Sequence, residues 1–132
     1  MDEATEAGAE AFARSWMDAL NEAYVTVDPS RLRALSQEGC VTCQAYIESL
    51  EKARSEGRSY AGGQNRVKTA VASPGLPQRK GLVLVDYDLA DLDVLGASGS
   101  KVRTVSGGRN LTLRFDVQHD GSRWFATQVS PS

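Results

Sequence analysis

The apolar residues of this chain change their spacing near Gly57, from a period of about four to a period of two, and that switch limits the fold more than any other feature. Upstream, Phe12, Trp16, Leu20 and Tyr24 recur every four positions, flanked by Ala9, Ala13, Ala19 and Ala23. They predict a helix over residues 3–26 with one aromatic-rich stripe. Asp28-Pro29 restarts the chain, Asp28 as a cap and Pro29 at the first helical position. The short second helix buries Leu32 and Leu35 and stops at Gly39. A third helix is expected over about 41–56, with Tyr46, Ile47, Leu50 and Ala53 on one face, an exposed Glu48–Lys52 pair, and Gly57 at its end.

Downstream, Arg66 to Val71 alternates as a half-buried strand does, and Ser73-Pro74-Gly75-Leu76-Pro77 breaks it. Leu82 to Val94 follows, with Val83, Val85, Tyr87 and Leu89 on one side. Asn110 to Gln118 presents Leu111, Leu113, Phe115 and Val117 on one face, and Thr112, Arg114, Asp116 and Gln118 on the other. Asp120-Gly121 marks a hairpin turn before a last strand, Arg123 to Val129. The resulting fold class is α+β. Three N-terminal helices (about 3–57) pack on a curved antiparallel sheet of about four strands (about 59–130), with Phe12, Trp16 and Leu20 against its concave face. No Gly-rich turn leads from a strand into a helix, which excludes the doubly wound nucleotide-binding folds.

At 132 residues the chain is one domain's worth, residues 1–132. Its formal net charge is −2 with Lys and Arg scattered, so no basic stripe exists for nucleic acid or for an anionic membrane surface. The longest apolar run, Gly81 to Val85, is far short of the ~20 residues a bilayer span needs. The start, Met1-Asp2-Glu3-Ala4-Thr5-Glu6, has neither the basic nor the apolar part of a secretory signal. Two readings stay open: a cytosolic protein, or a mature domain cut from an exported precursor.

The element order resembles the nuclear-transport-factor-2-like superfamily of cone-shaped folds. More narrowly, the run Phe12-Ala13-Arg14-Ser15-Trp16-Met17-Asp18-Ala19-Leu20-Asn21 resembles an uncharacterised family of actinobacterial secreted lipoproteins. So do Leu32-Arg33-Ala34-Leu35-Ser36 leading to Cys40-Val41-Thr42-Cys43, the Gly62-Gly63 pair, and the late Trp124. The resemblance implies an extracytoplasmic protein, held at the cell membrane by a lipid anchor in its full-length precursor. It implies no activity. The lipid-bearing cysteine of such a precursor is not in this chain.

Cys40 and Cys43, the only cysteines, stand C-x-x-C at a helix start. A redox pair has that spacing inside a βαβ unit, which is missing, so a structural disulfide is the favoured reading, with redox activity and reduced thiols as rivals. Zinc needs about four ligands, and two cysteines with His119 fall short, so neither metal nor cofactor is expected. His119, beside the Asp120-Gly121 turn, reads as a solvated surface histidine. Asp86 and Asp88, with Asp91 and Asp93 beyond, resemble paired carboxylates, but their strand phase puts them on the outer face, where Arg114 and Asp116 can pair with them across strands.

Trp16, Leu20, Tyr24, Tyr46, Tyr87, Phe115 and Trp124 are the residues expected to line a pocket in the cone. Two functional classes follow. One is a non-catalytic extracytoplasmic module binding a small apolar ligand or a protein partner at the cell surface, as a monomer or weak homodimer. The other is an isomerase- or dehydratase-like cone enzyme, which requires an Asp or His turned inward. The strand phases turn every Asp outward and leave tyrosines inside, which favours the binding module.

Overall fold

The computed structural model describes residues 3–132. Helix α1 (Glu6–Thr26) starts where the Thr5 side chain accepts a hydrogen bond from the Gly8 N–H at 3.0 Å. A short α2 (Ser30–Ala34) follows with Pro29 as its N-cap rather than its first helical residue, so Asp28 lies one position ahead of the cap, where its carboxylate accepts from the Ser30 N–H. Helix α3 (Val41–Ser55) ends at Gly57, whose φ of +69° is the left-handed turn a glycine takes without strain.

Seven strands complete the chain: β1 (Ser59–Gly62), β2 (Asn65–Ala72), β3 (Lys80–Leu89), β4 (Leu92–Leu95), β5 (Lys101–Val105), β6 (Gly108–His119) and β7 (Trp124–Pro131). A single 3-10 turn, Pro77–Arg79, precedes β3. All pairings between these strands are antiparallel, in a four-stranded sheet ordered β2-β3-β6-β7 and a three-stranded sheet ordered β1-β4-β5. The expected four strands correspond to the larger sheet plus β4. The run from Leu82 to Val94 is two strands, because the chain leaves one sheet at Ala90-Asp91 and enters the other. Register shifts at Val67/Thr69, Tyr87/Leu89 and Asp116/Val117 bend the larger sheet around α1.

The concave face is filled by α1. Phe12 and Trp16 are fully buried against Val83, Val85, Phe115 and Val129, and Trp16 meets Phe115 edge-on at 5.2 Å. Each such side chain contributes roughly 1.5–3 kcal/mol by burial. The Trp16 indole N–H donates to Ser36 Oγ at 3.0 Å, so its one polar atom is satisfied.

Three local expectations need correction. Gly39 does not end α2, which stops at Ala34. The chain then pairs with β7 through Ser36 and Ala126, and Gly39 has no positive φ. Among the described residues the ion pairs on α3 are Glu51 with Arg33 of α2 at 2.9 Å and Arg54 with Asp28 at 3.8 Å, and not Glu48 with Lys52. Arg114 pairs with Asp116 on its own strand at 3.2 Å, since Thr112 and Thr69 already occupy Asp86.

Candidate functional site: an apolar cleft at the mouth of the cone

The i, i+4 stripe of α1 is not buried uniformly. Phe12 and Trp16 are sealed, Leu20 is almost so, and Tyr24 emerges half-buried where the helix passes the end of the larger sheet. Tyr46 of α3 packs edge-on against Trp16 at 6.1 Å, and Tyr24 against Tyr60 of β1 at 4.9 Å. Leu20, Tyr24 and Tyr46 thus form the helical wall of a cleft of about 200 Å³.

The opposite wall comes from the crossover between the sheets. Leu89 ends β3 with Ala90 just after it, Leu92 opens β4, and Val105 closes β5 with Ser106 just after it. Two glycines make this wall. A Cβ on Gly63 (φ +75°) would sit 2.5 Å from Leu92 Cδ1, so only glycine leaves Leu92 its place there. A Cβ on Gly107 would lie 2.0 Å from the Leu89 carbonyl, so the β5–β6 turn can pass over the crossover only without a side chain.

The lining contains no carboxylate, imidazole, amine, guanidinium or thiol. Its polar groups are the tyrosine hydroxyls and Ser106. Burial, reinforced by the neighbouring Tyr46 and Tyr60, pushes the Tyr24 hydroxyl up to about 12. Burial raises Tyr46 as well, and raises Tyr87 together with the nearby Tyr46. At neutral pH these hydroxyls are proton donors and poor bases. Among the described residues, neither Tyr24 nor Tyr46 spends its hydroxyl on a hydrogen bond within the protein, which leaves both available to a ligand.

The expected lining residues divide. Leu20, Tyr24 and Tyr46 meet at the cleft. Trp16, Phe115 and Trp124 do not line it. They are 0–1% exposed in the packed core, where α1 fills the sheet's concave face and leaves no space beside them. Tyr87 packs against the core beside Tyr46 without reaching the cleft wall. Gly63, Leu89, Ala90, Leu92, Val105 and Ser106 were not anticipated in the lining, and only the Gly62-Gly63 pair hinted at a close approach.

The other chemical candidates fall outside the cleft. Asp86 accepts from Thr112 at 2.7 Å and Thr69 at 3.2 Å. Asp88 sits below its ordinary range, chiefly because the Asn110 N–H donates to it, and it pairs with Lys68 and Arg66. Asp91 accepts from Gly107 N–H, and Asp93 from Thr104. Each carboxylate has its own partners, so no two share a proton. His119 corrects its expectation. It is 6% exposed, packed edge-on against Trp124 at 5.1 Å, with Nδ1 accepting from Gly121 N–H at 3.0 Å. The turn begins after it, so His119 continues the inward series of Leu113, Phe115 and Val117. Cys40 and Cys43 are bonded to each other, with Cα atoms 5.2 Å apart and both side chains fully buried in the core. Among the described residues no group of His, Cys, Asp and Glu could hold a metal ion, and no helix is long and apolar enough to cross a membrane.

Helices laid across a curled antiparallel sheet, with a cleft at the open end, define an α+β cone. The chain belongs to a family of unknown function, DUF6318, matched over residues 1–130. It is similar in fold to the intermembrane-space region of the chloroplast protein ARC6, with a TM-score of 0.66 and 14% identity over 96% of this chain and 95% of that one. It is also similar to a protein described as an aromatic ring hydroxylase from Novosphingobium aromaticivorans, at TM-score 0.58 and 13% identity, covering 93% and 92%. Aln2 from a Streptomyces species aligns at TM-score 0.55 and 10% identity, covering 96% and 88%. At these identities the likeness is one of fold. No curated protein sequence matches the chain.

Proposed function

We propose that this domain is an extracytoplasmic binding module that holds a small molecule with an apolar ring or short chain at the mouth of the cone. The observation that carries this reading is the cleft of about 200 Å³, walled by Leu20, Leu89, Leu92 and Val105 and tipped by tyrosine hydroxyls. It is smaller than the roughly 300–1,000 Å³ of pockets for drug-sized ligands, which suits a single ring. An isomerase or dehydratase would need a carboxylate or imidazole in the cleft, and the lining offers neither. A hydroxyl held protonated to about 12 is a poor base at neutral pH. The buried Cys40–Cys43 bond supports placement outside the cytosol, where such bonds persist, and the resemblance to secreted lipoproteins adds a lipid tether upstream.

The test is a titration of isotope-labelled protein with 4-phenylbutan-1-ol, followed by NMR. The expected shifts fall on Leu20, Tyr24, Tyr46 and Leu92, and Val105→Arg, placed at the exposed rim, removes them. Shifts confined to other faces, or none at millimolar probe, overturn the reading.

A further inference from the structure

A second hollow lies between α3 and the smaller sheet, beside the apolar cleft. The register pairs Leu92 with Val105, and, two residues along, Tyr60 with Val94 and Val94 with Arg103. Alternate residues of a strand share a face, so these two rows lie side by side, about 7 Å apart, both turned toward the helices. The first row walls the cleft. The second floors the hollow, of about 170 Å³. The same progression runs along α3, where Tyr46 faces the cleft and Ser49, Lys52 and Glu56, on the following turns, face the hollow. The edge-on contact of Tyr24 with Tyr60 divides the two on the β1 side, and on the β5 side Val105 and Arg103, two residues apart, join them.

The second hollow has the opposite character. Lys52, Arg58 and Arg103 line it, with Glu56 its one acid, so three cations face a single carboxylate. Arg58 makes only a loose pair with Glu56 at 3.9 Å. Among the described residues no ion pair engages Lys52 or Arg103. Lys52 complements the carbonyls ending α3, but Arg58 and Arg103 lie off that helix, so the helix dipole does not account for them. The roughly half negative charge of the helix end leaves the hollow net positive.

We infer that cleft and hollow are two halves of one site for an aryl or alkyl carboxylate. The apolar body lies on the Leu92–Val105 row, and Arg103 and Lys52 take the carboxylate, with Arg58 beside them. This rests on the apolar cleft proposed above and adds the charge of its ligand. Guanidinium suits a carboxylate through paired N–H donors.

The test compares 4-phenylbutyrate with 4-phenylbutan-1-ol, of the same length and uncharged, by calorimetry on the intact chain. Two partly exposed ion pairs are together worth about a five- to tenfold preference for the carboxylate. That preference shrinks toward one in Lys52→Gln/Arg103→Gln, and in wild type as salt rises. Circular dichroism and the urea midpoint check that the double variant folds. Equal affinity for both probes in wild type, with the alcohol binding at the cleft, overturns this inference and leaves the apolar cleft standing. Salt-sensitive binding of the carboxylate without any binding of the alcohol overturns the cleft reading and leaves the cationic hollow as a simple anion site. No binding of either probe removes both.

Discussion

The side-chain amide of Asn21, on α1, hydrogen-bonds both backbone groups of Asn65, donating to its carbonyl at 2.9 Å and accepting from its N–H at 2.8 Å. It does for the start of β2 what a neighbouring strand would do. Asn65 in turn donates its own amide to the Met17 carbonyl at 2.9 Å, so one face of α1 is stitched to the sheet edge nearest the cleft. Removing one side of such a bond leaves the other without its partner, at about 1–3 kcal/mol. Asn21→Ala should therefore lower the urea midpoint by that much, and Asn21→Asp, which keeps the acceptor but loses the donor, should also destabilise. Unchanged midpoints in both would show that water replaces the amide without cost.

The C-cap of α1 stores strain. Val27 holds φ +52° and ψ +39°, a left-handed conformation in which a β-branched side chain crowds its own backbone. Asn tolerates that region better. Val27→Asn is expected to raise Tm by a few degrees, equivalent to about 1 kcal/mol, despite losing some half-buried apolar surface. Scanning calorimetry decides it, and a lower Tm would mean that Val27 contributes more by packing than it costs by strain.

The helices and most of the large sheet were legible because burial there follows a period. In β6, Leu113, Phe115, Val117 and His119 are buried while Arg114 is exposed. That same phase could have placed His119 inside, but the adjacent Asp120-Gly121 turn signal outweighed it. β5 was not legible, since all five of its residues are exposed and an edge strand without a buried face has no alternation. β1 is four residues long with a small-residue end, too short for a pattern. These two strands pair with β4 and bring Tyr60, Arg103 and Val105 to the cleft and hollow, so that part of the site was not legible. The aromatic stripe was legible as residues but not by depth. Nothing local distinguishes Trp16, at the centre of α1, from Tyr24, which emerges near its end.

Alkali should unfold the protein through its tyrosines. Tyr24 keeps its proton to about 12 in the fold, against about 10 in an unfolded chain. Above pH 10 the unfolded chain sheds that proton while the fold retains it, so equilibrium shifts toward unfolding. The contribution is fully present below about 10 and is lost as pH rises through about 12. Tyr46 and Tyr87, raised by the same burial, add to the slope. Stability measured by urea from pH 9 to 12 should fall, and Tyr24→Phe, which cannot ionise, should flatten the decline. A slope identical in Tyr24→Phe and wild type would show that other groups drive it. Absorbance near 295 nm gives an independent check, since the Tyr24 phenolate should appear late.

The Cys40–Cys43 bond closes a ring of few residues, so chain entropy predicts a modest stabilisation of about 2 kcal/mol. Its position matters beyond that. Cys40 is the N-cap of α3, and its Sγ accepts the Cys43 N–H at 3.2 Å, so the bridge holds the helix start that places Tyr46 and Lys52 at their two hollows. Both sulfurs belong to the buried core. A catalytic pair must be reached by a thiol of its partner, and a fully buried one is not. The Cys40→Ala/Cys43→Ala variant should lose roughly 2 kcal/mol, with a further cost from the space left by two buried sulfurs. Dithiothreitol should reduce the folded protein slowly and the urea-unfolded protein fast. Titration under denaturing, non-reducing conditions should find no free thiol in protein made in an oxidising compartment, and two after reduction. Two free thiols at the first step would remove the bridge, and with it the argument that this domain works outside the cytosol. Rapid reduction of the native fold by millimolar dithiothreitol would instead restore the redox reading of the C-x-x-C pair.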